Sequence, residues 1–112
     1  MPVSSERDDG ILIVKPEGRI HSADAAIFRR ELDSATEHGD RAVIMDMESL
    51  DYISSGGLRV MLEFAQILSE QDAKFALCSL KSSVNDVFRI SGFDRVVTIC
   101  TTRDEAVAAV SR

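Results

Sequence analysis

Hydroxyls, flexible backbone and charge meet most densely at Tyr52-Ile53-Ser54-Ser55-Gly56-Gly57-Leu58-Arg59, between a β-rich stretch and a helical one. A serine at the start of a helix can accept a hydrogen bond from an exposed backbone N–H, and the positive end of the helix dipole favours an anion there. A phosphate placed on such a hydroxyl would meet amide donors already oriented toward it. Gly56 and Gly57 are expected to leave another protein's catalytic groups an open approach to the hydroxyl. A plainer reading has both serines as caps and both glycines relieving a tight turn. Arg59 is a cation on the first turn of a helix, where the dipole disfavours it. It therefore either faces a partner's carboxylate or is simply solvated. Tyr52 lies just ahead of the turn and is the aromatic best placed for contact with a partner.

Other chemistries find less support. His21 and His38 are the only histidines and lack metal-binding spacing such as HExxH, so no metal is expected. Ser55 with His21, oriented by Asp46 or Asp51, would make a small serine hydrolase, but the sequence has no GxSxG elbow. Gly56-Gly57 lacks the lysine and the spacing of a phosphate-binding loop, so no nucleotide cofactor is implied. Cys78 and Cys100 stand apart in strand-like stretches without CxxC spacing. They read as buried thiols instead of a disulfide or a metal pair.

Nineteen acidic against 13 basic side chains give a net charge of -6, the wrong sign for a nucleic-acid partner. The longest apolar runs, such as Ile11 to Val14, fall far short of the ~20 residues of a membrane span. Met1 to Asp9 has neither the basic start nor the apolar centre of a secretory signal, so a cytoplasmic location is expected. With 112 residues and no linker or repeat, one domain over residues 1–112 is expected.

Periodicity supplies the elements. Val3 to Asp8 and Ile11 to Val14 flank Asp9-Gly10 and predict an opening antiparallel hairpin, with Gly18-Arg19-Ile20 continuing after Pro16. Ser22 is the expected N-cap of a first helix carrying Ala25, Phe28, Leu32 and Ala35, stopped by Gly39. Arg41 to Met47 suits a central strand covered on both faces. Leu58, Met61, Leu62, Ala65 and Leu68 form the expected apolar stripe of a second helix. Lys74 to Leu80 predicts a strand, Ser83 the cap of a third helix with Val84, Val87 and Phe88, and Gly92 its end. Val96 to Cys100 predicts a last strand, and Thr102 to Glu105 a capping box before Ala106, Val107 and Val110. The fold class is α/β: a mixed four- to five-stranded sheet with an opening hairpin and about four helices packed on it.

Taken in order, these motifs resemble the STAS family of anti-sigma factor antagonists over nearly the whole chain. The likeness rests on Ile13 to Ile20 with its Gly18, the aliphatic central strand, Ser54-Ser55-Gly56-Gly57-Leu58, Phe88-Arg89-Ile90-Ser91-Gly92-Phe93, and Thr102 to Ala106. The resemblance implies a non-enzymatic, single-domain regulator without a cofactor. Its implied partners are an anti-sigma factor with a histidine-kinase-like ATPase fold, which phosphorylates a serine of the turn, and a PP2C-type phosphatase that removes the phosphate. By that match Ser55 is the phosphoacceptor and Ser54 the second choice. His21, Tyr52, Ser54, Gly56, Gly57 and Arg59 form the expected partner-binding set. Three positions depart from the family pattern: Ser54 replaces a frequent Asp, Gly56 a second hydroxyl, and His21 an acidic residue. An alternative is a STAS subunit acting as an unphosphorylated scaffold in a lipid-transport or stress-signalling complex.

Overall fold

A computed structural model describes residues 2–36 and 38–111. Strand β1 (Val3–Asp8) turns into β2 (Ile11–Pro16), and the two pair antiparallel from Val3↔Pro16 to Asp8↔Ile11. Asp9 and Gly10 both take positive φ, 53° and 81°. That is the hairpin turn whose twist matches the flanking strands, and it is why an Asp-Gly pair stands there.

Beyond the hairpin the chain alternates strand and helix. β3 (Gly18–Ile20) precedes helix α1 (Ala25–Ala35), and β4 (Ala42–Asp46) follows it. After β4 come β5 (Leu50–Ile53), α2 (Ser55–Glu70), β6 (Lys74–Cys78), α3 (Ser82–Ile90), a 3₁₀ turn (Phe93–Arg95), β7 (Thr98–Cys100) and α4 (Arg103–Val110). The main sheet is mixed and five-stranded, ordered β1-β2-β4-β6-β7, with β4 at its centre and parallel pairing from β2 onward.

Side-chain alternation along these strands builds two cores. Leu12, Val14, Val43, Met45 and Leu77 face α1, α2 and α3, and Phe28, Leu32, Met61, Phe64, Val84 and Phe88 close over them. Ile11, Ile13, Ile44, Ala76 and Cys78 face the other way, under Ala106 and Val110 of α4. Coverage of both faces explains why β2 and β4 read as continuous apolar runs.

Several boundaries differ from the sequence expectation. Ser22 does not cap α1: it opens a 3₁₀ turn, Ser22–Asp24, in which the His21 N–H donates to Asp24 Oδ2 at 2.8 Å. Ser83 does not cap α3, which begins at Ser82 with Lys81 in the cap position, where Lys81 forms an ion pair with Asp51 of β5. On α2 the buried stripe is Gly57, Val60, Met61, Phe64 and Leu68, while Leu62 is 38 % exposed. Both this stripe and the expected one have helical period, and docking against α1 and β6 selects between them. The last strand starts at Thr98, because Phe93–Arg95 takes a 3₁₀ turn that leaves Val96 65 % exposed. Cys78 is buried as expected, but Cys100 is only half-buried, since β7 is an edge strand.

Candidate functional site

Two short strands outside the main sheet position the turn. β3 and β5 pair in parallel, with Arg19 opposite Tyr52 and Ile20 opposite Ile53. The Ser54 N–H donates to the Ile20 carbonyl at 2.8 Å, carrying the pairing to the brink of α2. His21 and Ser54 therefore leave neighbouring strand ends side by side. β5 was not foreseen from the sequence: Leu50-Asp51-Tyr52-Ile53 is too short and too mixed for a periodic signal, and only its partner strand makes it one.

The two serines have separate tasks. Ser54 is the N-cap: its backbone is extended and its Oγ accepts from the Gly57 N–H at 3.2 Å. The residue is 7 % exposed, and its hydroxyl oxygen is committed to that bond. Ser55 is the first residue of the 16-residue helix and its side chain is exposed. The Gly57 amide is taken by the cap, so the Ser55 and Gly56 amides remain among the leading N–H groups without an intrahelical acceptor. An anion carried on Ser55 Oγ would lie beside them, at the positive end of the dipole.

Gly57 does not serve access in the way its sequence position suggests. A Cβ on Gly57 would come within 2.8 Å of Ile53 Cγ1 and 2.9 Å of Ile20 Cγ2. Gly57 is buried, and glycine is needed there so that the helix tip can settle on the β3/β5 pair. Of the expected contact set, Gly57 and Ser54 are both buried. Gly56 is half-exposed, with Ser22 Cα 3.5 Å and Ala25 Cβ 3.7 Å from where its Cβ would sit.

Around the exposed serine lies a mixed surface. The Arg19 guanidinium stands 4.8 Å from the centre of the Tyr52 ring, a cation–π contact. The His21 ring packs on the same tyrosine at 5.4 Å between centroids. Tyr52 itself remains 39 % exposed, so the three form an aromatic, cationic plate next to the turn. An open hollow of about 340 Å³ lies between α2 and the α3–3₁₀ corner, and Ser55, Leu58, Arg59, Leu62, Phe93 and Val96 are among its lining residues. Leu62 and Val96 were missed because each fits a core pattern locally. The signal that finds them is exposure in the folded chain, and Ile90 at the end of α3 is 82 % exposed as well. Arg59 is exposed one helical turn beyond Ser55, at i+4, where side chains on one face meet.

Among the described residues, no group of three or more His, Cys, Asp or Glu side chains converges as a metal site, and no helix is long and apolar enough to cross a membrane.

Fold and site together define a small α/β domain that presents an exposed serine, Ser55, at the tip of α2 beside an aromatic, cationic plate. The sequence matches the STAS domain family over residues 2–106, and the chain belongs to that family. It is 39% identical over 109 residues to a Bordetella bronchiseptica protein named "Putative anti-sigma factor antagonist BtrV", covering 97% of this chain and 94% of that one. A Thermotoga maritima crystal structure, titled as that of "a putative anti-sigma factor antagonist", matches with a TM-score of 0.91 at 23% identity, over 98% of this chain and 95% of that one. The Bacillus cell fate determinant SpoIIAA in its phosphorylated form matches with a TM-score of 0.70 at 18% identity, over 96% and 97% of the two chains. At these identities the two structures establish the shared fold.

Proposed function

We propose that this chain is a cytoplasmic anti-sigma factor antagonist whose docking to its partner is switched by phosphorylation of Ser55. The observation that carries the reading is the division of labour at the turn. Ser54 is buried and used as the cap, while Ser55 is exposed at the amide-rich tip of α2. The Bordetella relative's name and the existence of a phosphorylated form of a STAS-fold protein support it.

The partner is an anti-sigma factor with a histidine-kinase-like ATPase fold, and this chain is its substrate, not a catalyst. Unmodified, the chain offers the Tyr52–Arg19–His21 plate, Gly56, Arg59 and the apolar hollow as one contact surface. In the kinase reaction Ser55 Oγ attacks the γ-phosphorus of the partner's ATP, ADP leaves, and the hydroxyl proton passes to a base on the partner. The phosphate brings nearly two negative charges into that surface. It also lies within reach of Arg59, so an intrahelical pair would take that cation away from a partner carboxylate. Loss of one or two orders of magnitude in affinity, about 1.4–2.8 kcal/mol, is sufficient for a switch. A PP2C-type phosphatase would restore the docking form.

Incubation with the cognate anti-sigma factor and ATP, followed by intact-mass measurement, should add one phosphate to the wild type and none to Ser55→Ala. Ser55→Asp should weaken binding. Tight binding with no phosphate transfer would overturn the switch and favour an unphosphorylated scaffold. Ester hydrolysis abolished by Ser55→Ala would favour the hydrolase reading.

A further inference from the structure

Cys78 ends β6 and Cys100 ends β7, and they stand directly opposite each other in the parallel register Ala76↔Thr98, Leu77↔Ile99, Cys78↔Cys100. Alternation places both on the same face. Cys78 lies with Ala76, Ile44 and Ala106 under α4, and Cys100 packs against that cluster, whereas Leu77 and Ile99 belong to the opposite core. Neighbouring strands run about 4.8 Å apart. A disulfide accepts Cα separations of about 4.4–6.8 Å, a range that includes this strand spacing, and a small local approach of the two Cβ atoms at the strand ends completes the bridge. Both thiols are free.

We propose that Cys78 and Cys100 form an oxidisable pair that closes to an intrachain disulfide under hydrogen peroxide and reopens on reduction. Cys100, the half-buried partner, meets the oxidant first. Its thiolate attacks one peroxide oxygen, an S–O bond forms as the O–O bond breaks, and the released hydroxide takes up a proton to leave as water. The Cys78 thiolate then attacks the sulfenic sulfur. The S–S bond forms as the S–O bond breaks, and the departing hydroxide takes up the proton that Cys78 lost. Two thiols and one peroxide thus give one disulfide and two waters.

Burial raises both thiols above the ordinary cysteine range, with Asp46 and Cys100 adding to the effect at Cys78 and Glu105 at Cys100; Ser79 and Arg103 oppose it at Cys78. The pair therefore rests as thiols at neutral pH, each must lose its proton before it attacks, and closure should quicken as pH rises. The bridge would enclose residues 79–99, a segment that holds all of α3 and the 3₁₀ turn and supplies Gly92, Phe93 and Val96 to the hollow beside Ser55. Oxidation would tie both ends of that wall together and restrict the unfolded chain.

The folded protein, treated with hydrogen peroxide and then denatured with its remaining thiols blocked, should show an intact mass lower by two hydrogen atoms before the blocking contribution. Digestion should yield a linked peptide containing both cysteines, which dithiothreitol separates. Tm should rise by about 5 °C or more on oxidation and return on reduction. Cys100→Ser, at a half-buried position, should lose both the link and the Tm rise, and Cys100→Ala serves as the second variant. Oxygen added at Cys100 without a link, a dimer joined through Cys100, or an unchanged mass would each overturn the proposal.

Discussion

Alanine at Gly56 and alanine at Gly57 should have opposite effects on stability, although the two positions are adjacent on one helix. Both substitutions gain helix propensity, up to about 1 kcal/mol. At position 57 the new Cβ would meet Ile53 Cγ1 at 2.8 Å and Ile20 Cγ2 at 2.9 Å, well inside the ~3.5–4.0 Å at which carbons pack. Those isoleucines are β-branched, buried and paired across β3 and β5, so neither yields easily. Overpacking of this kind costs about 1–3 kcal/mol. At position 56 the nearest atoms are 3.5 and 3.7 Å away, ordinary contact, and the propensity gain survives. The two variants should therefore differ by about 1–3 kcal/mol. An unfolding entropy of about 2.1 cal/mol/K per residue over 112 residues makes 1 kcal/mol worth about 4 °C, which predicts melting temperatures some 4–12 °C apart. Circular dichroism melts would measure this. Gly57→Ala melting at or above Gly56→Ala would refute the account of the helix tip.

Three further outcomes follow from the same structure. Ser54→Ala should lower stability by about 1 kcal/mol through loss of the cap, whereas Ser55→Ala should stay within about 0.5 kcal/mol; equal losses in urea denaturation would contradict the division between the serines. Arg103→Ala strips buried Asp46 of its 2.8 Å ion pair and leaves it the Glu48 N–H, so a loss on the order of 2 kcal/mol is expected, part of the full buried-pair effect because Arg103 is partly exposed. Arg89→Ala, which breaks an exposed pair with Asp86, should cost under about 0.5 kcal/mol, and similar melts for the two variants would count against the distinction. The hydrogen bond from Arg7 holds the Asp40 carboxyl below its usual range. Its stabilisation is therefore complete above the unfolded carboxylate value near ~3.9 and is lost as pH falls through the folded value. The stability gap between wild type and Asp40→Asn should narrow on acidification below about pH 4, and a gap that stays constant there would disprove the linkage.

Much of this protein is encoded in short-range pattern. Asp9-Gly10 specifies its turn because few residues accept two consecutive positive φ angles. Thr102 and Glu105 specify the start of α4 because the cap closes within one turn, and the Glu105 N–H does donate to Thr102 Oγ1 at 3.1 Å. The strand–helix alternation and the central place of Ala42–Asp46 were legible for the same reason, as was the concentration of chemistry at Ser54-Ser55-Gly56-Gly57. Tertiary structure decided whatever depends on a neighbour distant in sequence. It made Leu50–Ile53 a strand by giving it β3, buried Ser54 while exposing Ser55, turned Gly57 onto Ile20 and Ile53, and brought Cys78 opposite Cys100. It also rotated α2 so that Val60 and Phe64 are covered and Leu62 is left out. Local sequence sets the period of an element, but which side of that period is buried is settled by the surfaces that close over it.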